Sequence, residues 1–315
     1  MQIDVIIPTF NTARFISEAI ESVRTQTYQP QKIIVVDDGS TDDTEYIVHS
    51  INDPRILYIK KNNGGPNSAR NVGLAHATAE LVAFLDADDR WESTKLEKQY
   101  MLFMKDTAKS LGLVYTSYYP IDALGNHVTN IPIVPIDPTI QGYAFERLLP
   151  GNLIIGSSSS VLIRRLVFDV VGMFDESLRI GEDWDMWLRI SEKFRIEYVD
   201  EPLVAIRRHE DNQTSDVKKL IAGDSAFIEK WVPLMRGRYT IPQLWADRIV
   251  LNVLRGFPSL YNYRLAKRSL SLDTRKKLFI GGSLFLACIT TVLRIVADKN
   301  LRSRIYRSLK RYGKK

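Results

Sequence analysis

The segment Phe84-Leu85-Asp86-Ala87-Asp88-Asp89 ends an apolar run in three carboxylates within four residues. Acids crowded in this way repel one another and lose hydration, at a cost of several kcal/mol unless a cation neutralises the set. Arg90 follows, but one base does not balance three acids. Oxygen ligands select hard cations, so the chemistry expected here is Mg2+ or Mn2+ held jointly by a carboxylate and a substrate's phosphates. The alternative is a solvated acidic turn; the buried-strand character of 81–85 favours the metal.

Three further loops carry unusual polar density. Pro8-Thr9-Phe10-Asn11 closes the first apolar run, and Asp37-Asp38-Gly39-Ser40-Thr41-Asp42 closes the second. Two carboxylates, a glycine that permits close backbone approach and two hydroxyls suit hydrogen bonding to a base and ribose, or equally an Asp-Gly turn with Ser40 or Thr41 capping the next helix. Asn62-Asn63-Gly64-Gly65-Pro66 runs into Asn67-Ser68-Ala69-Arg70-Asn71, a turn feeding a helix N-terminus, where free N–H groups and the positive dipole end suit a phosphate. It reads equally as a plain loop with Pro66 in a first helical turn. Downstream, Gly181-Glu182-Asp183-Trp184-Asp185-Met186-Trp187 places acids at a helix start, as capping and the dipole alone would. Trp184 and Trp187 share a face beside Asp183, an arrangement that serves sugar-ring recognition and general-base work, or simply core packing.

These loops must be positioned by a sheet. Short β-branched runs at 3–7, 33–36, 56–59, 81–85 and 113–117 alternate with helical patterns at 11–28, 42–51, 67–77 and 93–105, the signature of βαβ units in a mainly parallel sheet. In the first helix, Asn11 or Thr12 can cap, while Phe15, Ile16, Ala19, Ile20 and Val23 share one face. Such sheets bind ligands outside the carboxyl ends of their strands, where these loops gather. Residues 119–157, with Pro120, Pro132, Pro135, Pro138 and Pro150, read as irregular connections that could shape an acceptor cleft. Order resumes with a strand over 158–163, a helix over 184–193 and extended structure over 196–206, broken by Pro202. From about Asp216 the pattern is helical, interrupted by Pro233, Pro242 and Pro258.

Composition excludes other classes. With 45% hydrophobic residues the chain is neither disordered nor collagen-like, and its single cysteine, Cys288, forms no intrachain disulfide. No Cys/His cluster suits structural zinc, and a reducing cytosol fits. Met1-Gln2 leads straight into a strand-like run rather than a signal peptide.

Taken in order, these segments resemble family 2 glycosyltransferases, the inverting nucleotide-sugar-dependent enzymes of GT-A fold. The likeness covers about residues 1–210 and rests on 6–11, Val36-Asp37-Asp38-Gly39-Ser40, Gly64-Gly65-Pro66 through Arg70-Asn71, Asp86-Ala87-Asp88 as a DxD motif, and Gly181-Glu182-Asp183-Trp184. It implies a Rossmann-like, mainly parallel sheet flanked by helices over 1–215, with nucleotide-sugar binding in about 1–118, acceptor binding in about 119–215, and a helical region over 216–315. Pro8, Phe10 and Asn11 would belong to the donor site, Asp38 would hydrogen-bond the base, and Arg70 would face the diphosphate. Asp86 would hold the ribose or a metal-bound water, and Asp88 would ligate Mn2+ or Mg2+. Asp183 would be the general base, with Glu182 and Trp184 on the acceptor side. His209 falls where such enzymes place a group near the diphosphate or metal; a solvent-facing histidine is the alternative. The processive synthases' Gln-x-x-Arg-Trp motif is missing, which favours transfer of one sugar, in cell-surface glycan or lipid-linked saccharide synthesis. A nucleotidyltransferase would carry a basic, Gly-rich phosphate loop after the first strand, which Pro8-Thr9-Phe10-Asn11 is not. A membrane-associated non-catalytic scaffold would have no use for Asp86, Asp88 and Asp183.

The net charge of +6 conceals two opposed regions. From Arg264 onward the last 52 residues hold 15 bases and two acids, a charge of +13; the remainder holds 28 bases and 35 acids, a charge of −7. The uncharged run 278–293 between Lys277 and Arg294 is shorter than the roughly 20 residues that span a bilayer, and Gly281-Gly282-Ser283 weakens it as a helix. An apolar segment beside clustered Lys and Arg suits the surface of an anionic membrane, or a solvated cationic tail. The expected setting is the inner face of a cytoplasmic membrane, with a nucleotide-sugar donor, a glycan or lipid-linked acceptor, no nucleic acid, and room for a homo-oligomer.

Overall fold

The computed structural model describes residues 1–209, apart from 130, 132, 134, 135, 150, 151, 155 and 179, together with Phe227, Lys230 and Trp231. All of these lie in one compact unit. The expected helices after Asp216, the 278–293 run and the basic tail lie outside the described residues.

The chain runs through β1 (Ile3–Thr9), α1 (Ile16–Arg24), β2 (Lys32–Asp37), α2 (Thr44–Ser50), β3 (Ile56–Lys60), α3 (Pro66–His76) and β4 (Leu81–Phe84). It continues through β5 (Arg90–Trp91), α4 (Lys95–Lys105), β6 (Leu111–Ile121), α5 (Phe145–Leu148), a 3-10 turn (Ser158–Ser160), β7 (Val161–Arg164), α6 (Leu166–Val171), α7 (Glu182–Lys193) and β8 (Arg195–Arg207). The strands form one sheet in the order β3-β2-β1-β4-β7-β6-β8-β5. β1, β2, β3 and β4 pair in parallel, as do β6 and β8, while β7 runs antiparallel between β4 and β6. The sheet is therefore mixed, with its parallel half first.

Both faces are covered, so strand residues are buried without alternation. Ile3, Val5 and Ile7 pack with Ile16, Ala19, Ile20 and Val23 of α1, whose spacing puts them on one stripe, and with Leu96 and Phe103 of α4. On the opposite face Ile6 meets α3 at Gly73, and Phe84 meets Phe168 and Phe174 edge-on. After β3 the chain crosses to the other side of β1 to form β4, which makes the β1–β4 boundary a topological switch point.

Each difference from the sequence expectation has an identifiable cause. Helix α1 begins at Ile16 rather than at Asn11 or Thr12, because the Asn11 side chain accepts from the Thr41 N–H and Asn11 itself takes φ +53. The strand expected over 158–163 opens as a 3-10 turn, since the Ser157 hydroxyl accepts from Ser159 N–H and the Ser157 carbonyl from Ser160 N–H. β6 extends through Pro120 to Ile121, inside the region expected to be irregular, because β8 pairs along its length. Their register slips opposite Pro202, which has no N–H to give.

Gly73 is where α3 touches the sheet: a Cβ there would stand 2.4 Å from Ile6 Cγ2. Gly73→Ala is expected to lower stability by about 1–3 kcal/mol through overpacking, measured by urea unfolding. An unchanged unfolding midpoint would show that α3 lifts from the sheet without strain.

Candidate functional site

The carboxyl ends of β1, β2 and β4 bring the sequence-singled loops together. The first two are knitted by hydrogen bonds. Asp38 N–H donates to the Thr9 carbonyl at 2.8 Å, Asn11 N–H to Ser40 Oγ at 2.8 Å, and Thr41 N–H to Asn11 Oδ1 at 2.8 Å. Buried Asp37 accepts from Ser40 N–H at 2.7 Å and from the Tyr58 hydroxyl. Asp38 accepts from Lys61 Nζ at 2.6 Å, Gly64 N–H at 2.9 Å and Gly65 N–H at 2.7 Å, so its carboxylate fastens the Gly64-Gly65 turn to β2. Pro8 is buried opposite Val36, whereas Phe10 is 47% exposed at the mouth of the loops. Of the residues assigned to the donor, Asn11 and Asp38 thus hold loops in shape, and Phe10 offers an open face.

Helix α3 is preceded by Gly65, whose φ of +91 an L side chain would resist, and delivers Arg70 inward. Arg70 is buried, with Nη2 2.9 Å from Asp86 Oδ1, Nη1 3.6 Å from Glu182 Oε1 and the guanidinium over the Phe174 ring. Its Nε is buried with no partner. Burial acts to lower the Arg70 pKa, but Asp86, Glu182 and Asp183 outweigh it and hold the pKa above the ordinary value. The residues expected at opposite ends of a reaction are thereby in electrostatic contact.

The three acids after β4 have three different surroundings. Asp86 also accepts from the Ser157 hydroxyl at 3.1 Å, and its N–H donates to Ser159 Oγ at 3.0 Å. Asp88 Oδ2 lies 2.9 Å from His209 Nε2. Burial and then the Asp86 charge raise the Asp88 pKa, and His209 opposes them. Asp89 is buried, accepting from Ser159 Oγ at 2.7 Å and Arg207 N–H at 3.0 Å, and its pKa is pushed well up by burial and then by Asp88. It is a structural anchor that ties β4's loop to β8. Arg207 completes that tie, donating to the Asp88 carbonyl at 2.8 Å and pairing with Glu18 at 2.7 Å.

The serine turn that presents Ser157 and Ser159 is braced from behind. Trp91 Nε1 donates to the Ser159 carbonyl at 2.8 Å, and Gln99 Nε2 to the Ser160 carbonyl at 2.9 Å. Lys95 Nζ, fully buried, lies over the Trp91 ring at 3.9 Å and donates to Gln99 Oε1 at 2.9 Å; burial lowers its pKa far below the ordinary value.

A divalent cation fits this donor set. Asp88 Oδ2 and His209 Nε2, 2.9 Å apart, are oxygen and imidazole donors of the kind such a cation takes, while the neighbouring Asp86 is already paired with Arg70. Among the described residues no three His, Cys, Asp or Glu side chains form a complete metal cage, so a nucleotide's phosphates and water would supply the remaining ligands.

Glu182 and Asp183 open α7 behind Gly181, whose φ is +79. Asp183 accepts from Trp184 N–H at 2.6 Å, and Asn152 Nδ2 lies 3.4 Å from its other oxygen. Burial and then Asp183 raise the Glu182 pKa to about 7, against the pull of Arg70. The sugar platform expected at Trp184 is corrected: the indole is buried, its Nε1 donates to the Leu148 carbonyl at 2.8 Å, and it stacks on Phe227 at 4.4 Å. Trp187 is wholly buried. Large apolar rings on the inner face of a packed helix go to the core.

Residues to which sequence reasoning assigned no role of their own are Ser157, Ser159, Arg207, Asn67 and Asn71, and Asp37 and Asp89, marked there as loop acids, prove to be backbone anchors. The run Gly156-Ser157-Ser158-Ser159-Ser160 directly before an apolar strand was a visible signal, and Ser157 takes φ +55, a strained value for a residue with a side chain. Arg207 gave none, and the anchoring role of Asp89 gave none, because their partners lie far away in sequence.

The family model for glycosyl transferase family 2 matches residues 4–172. An uncharacterized glycosyltransferase of Rickettsia typhi is 36% identical over 68% of the chain and 66% of its own length. A UDP-Glc:alpha-D-GlcNAc-diphosphoundecaprenol beta-1,3-glucosyltransferase of Escherichia coli is 32% identical over 60% of the chain and 69% of its own. In fold, the chain is similar to a mannosyltransferase from Pyrobaculum calidifontis in complex with GDP-Man and Mn2+, with a TM-score of 0.58 at 18% identity, covering 96% of this chain and 82% of that one. The chain spans between 30% and 66% of the length of its Rickettsia relatives. The fold is of the GT-A type, and the chain belongs to glycosyl transferase family 2.

A carboxyl whose pKa is raised from 4.5 to about 7 holds its proton more tightly in the folded chain, so its contribution to stability is present at low pH and is lost as pH rises through about 7. Wild type is therefore expected to lose stability relative to Glu182→Gln as pH rises from about 4.5 to about 7, with the difference level above that. Urea unfolding across that range checks this, and parallel profiles for the two proteins would contradict it.

Proposed function

We propose that this chain is an inverting glycosyltransferase that moves one sugar from a nucleoside diphosphate sugar to an acceptor hydroxyl, in the synthesis of a cell-surface glycan or lipid-linked saccharide. The observation that carries the reading is Arg70, held between Asp86 on the donor side and Glu182, the neighbour of Asp183, on the acceptor side. The relatives support it: one is named for UDP-Glc transfer to a diphosphoundecaprenol-linked sugar, and a neighbour in fold holds GDP-Man with Mn2+.

In this reading the base stacks against Phe10, with Pro8 fixing the strand that leads into that loop and Asp38 shaping the pocket through the Gly64-Gly65 turn. Asp88 and His209 would hold Mn2+ or Mg2+, which when bound supplies positive charge for the departing diphosphate. Arg70 adds a fixed cation next to the same charge. Asp183 takes the proton of the acceptor hydroxyl as its oxygen attacks the anomeric carbon opposite the diphosphate. The bond to the diphosphate breaks with its electron pair leaving on the phosphate, so the configuration inverts and no covalent intermediate forms.

Nucleotide release from a panel of UDP- and GDP-sugars, with Mn2+, Mg2+ or chelator, tests the activity. Asp88→Asn and Asp183→Asn are each expected to lower release by on the order of 10²-fold or more. Release by wild type no greater than by the variants would sink the reading.

Among the described residues no helix is long and apolar enough to cross a membrane. The +13 segment from Arg264 onward is the proposed contact with anionic lipid at the inner face of a cytoplasmic membrane. In co-sedimentation with phosphatidylglycerol vesicles, the full chain is expected to pellet in low salt and the chain ending at Tyr263 to stay in solution. Equal pelleting of the two would remove the membrane assignment.

A further inference from the structure

Two asparagines one turn apart on α3, Asn67 and Asn71, face the segment that leads into α7. Asn67 is 4% exposed, and both ends of its amide are engaged. Nδ2 donates to the carbonyls of Asp175 at 3.0 Å and Leu178 at 2.8 Å, while Oδ1 accepts from Arg70 Nη1 at 3.2 Å. Asn71 repeats the pattern one turn on: Nδ2 donates to the Phe174 carbonyl at 2.9 Å and Oδ1 accepts from Phe174 N–H at 3.0 Å. Phe174, so fixed, lies under the Arg70 guanidinium at 5.6 Å and against Phe84 of β4 at 5.3 Å. Leu178 is buried and stands shortly before Gly181, where α7 begins.

We infer that Asn67 is a positioning residue, supported by Asn71, that sets the separation between the donor-side pair Arg70–Asp86 and the acceptor-side Asp183. The inference rests on the glycosyltransferase reading of the site, since it is the base at Asp183 that needs a fixed place. Asn67 acts through the 174–178 segment and touches no substrate. The position demands a planar group that donates twice to carbonyls and accepts once from a guanidinium; Asp lacks the donors, and Ser lacks both the reach and the second donor. In-line attack tolerates little error, and a shift of about 1 Å in a reacting group costs about 10²-fold in rate.

Asn67→Asp keeps the shape and the acceptor for Arg70 and removes both donors. Three measurements are read together: amide hydrogen exchange, calorimetric binding of UDP and GDP with Mn2+, and nucleotide release from the sugar nucleotide that wild type consumes. Exchange over 174–183 is expected to quicken by about tenfold or more with 64–71 unchanged. Nucleotide affinity and donor KM should stay within about twofold, while kcat for release falls about 10²-fold. Asn71→Ala, at a less buried position, should give the same pattern at about a tenth of the effect and serves if Asn67→Asp does not fold. Unchanged exchange over 174–183, undiminished kcat despite faster exchange, or affinity and kcat falling in proportion would each overturn the inference. A wild type that consumes no sugar nucleotide sinks the glycosyltransferase reading instead, and exchange over 174–183 then still decides whether Asn67 holds that segment.

Discussion

A buried guanidinium is the constraint around which the described part of this fold is arranged. Arg70 is out of water, and a charge there is tolerable only with carboxylates in contact and hydrogen bonds for its N–H groups. Asp86 and Glu182 supply the first, and Asn67 contributes to the second. Meeting that demand draws together α3, the loop after β4 and the start of α7. Breaking a buried pair of this kind by removing one partner costs about 3–5 kcal/mol, so the three segments hold their places as a unit.

Around this pair, carboxylates are used to hold backbone. Asp38 clasps the Gly64-Gly65 turn, Asp37 the Ser40 amide, Asp42 the amides of Ala13 and Thr44, and Asp89 the amide of Arg207. Loops at strand ends leave N–H groups that no ladder satisfies, and a short acidic side chain supplies the acceptor. The acidic surplus is thus partly loop architecture, and among the described residues Asp86, Asp88 and the pair Glu182–Asp183 are the acids that the proposed reading gives to a charged ligand. Asp88, with His209 beside it, is where the proposed reading puts a divalent cation and a diphosphate.

Much of the scaffold was legible beforehand because its signals are local. The apolar runs of β1, β2 and β4 are buried on both faces and therefore continuous in sequence, and the stripe of α1 needs only its own residues to be seen. The loops at the strand ends could be found for the same reason. Less legible was whatever depends on a partner far along the chain. The extension of β6 through Pro120 requires β8, and the turn at Ser157 requires Asp86. Trp184 read equally as platform or core until Leu148 and Phe227 were seen around it.

By itself the sequence determined the alternation of β1–β4 with α1–α3, the mainly parallel pairing of those strands and the short list of acids and the arginine able to do chemistry, since periodicity and turn chemistry act over a few residues. Only the tertiary structure decided which of those acids gather around Arg70 and His209 and which secure a loop. It placed His209 on Asp88, turned Asp89 inward and set Arg70 between Asp86 and Glu182. Those assignments follow from burial and from contacts between residues distant in the chain, where the cost of an unpaired charge, rather than local propensity, selects the arrangement.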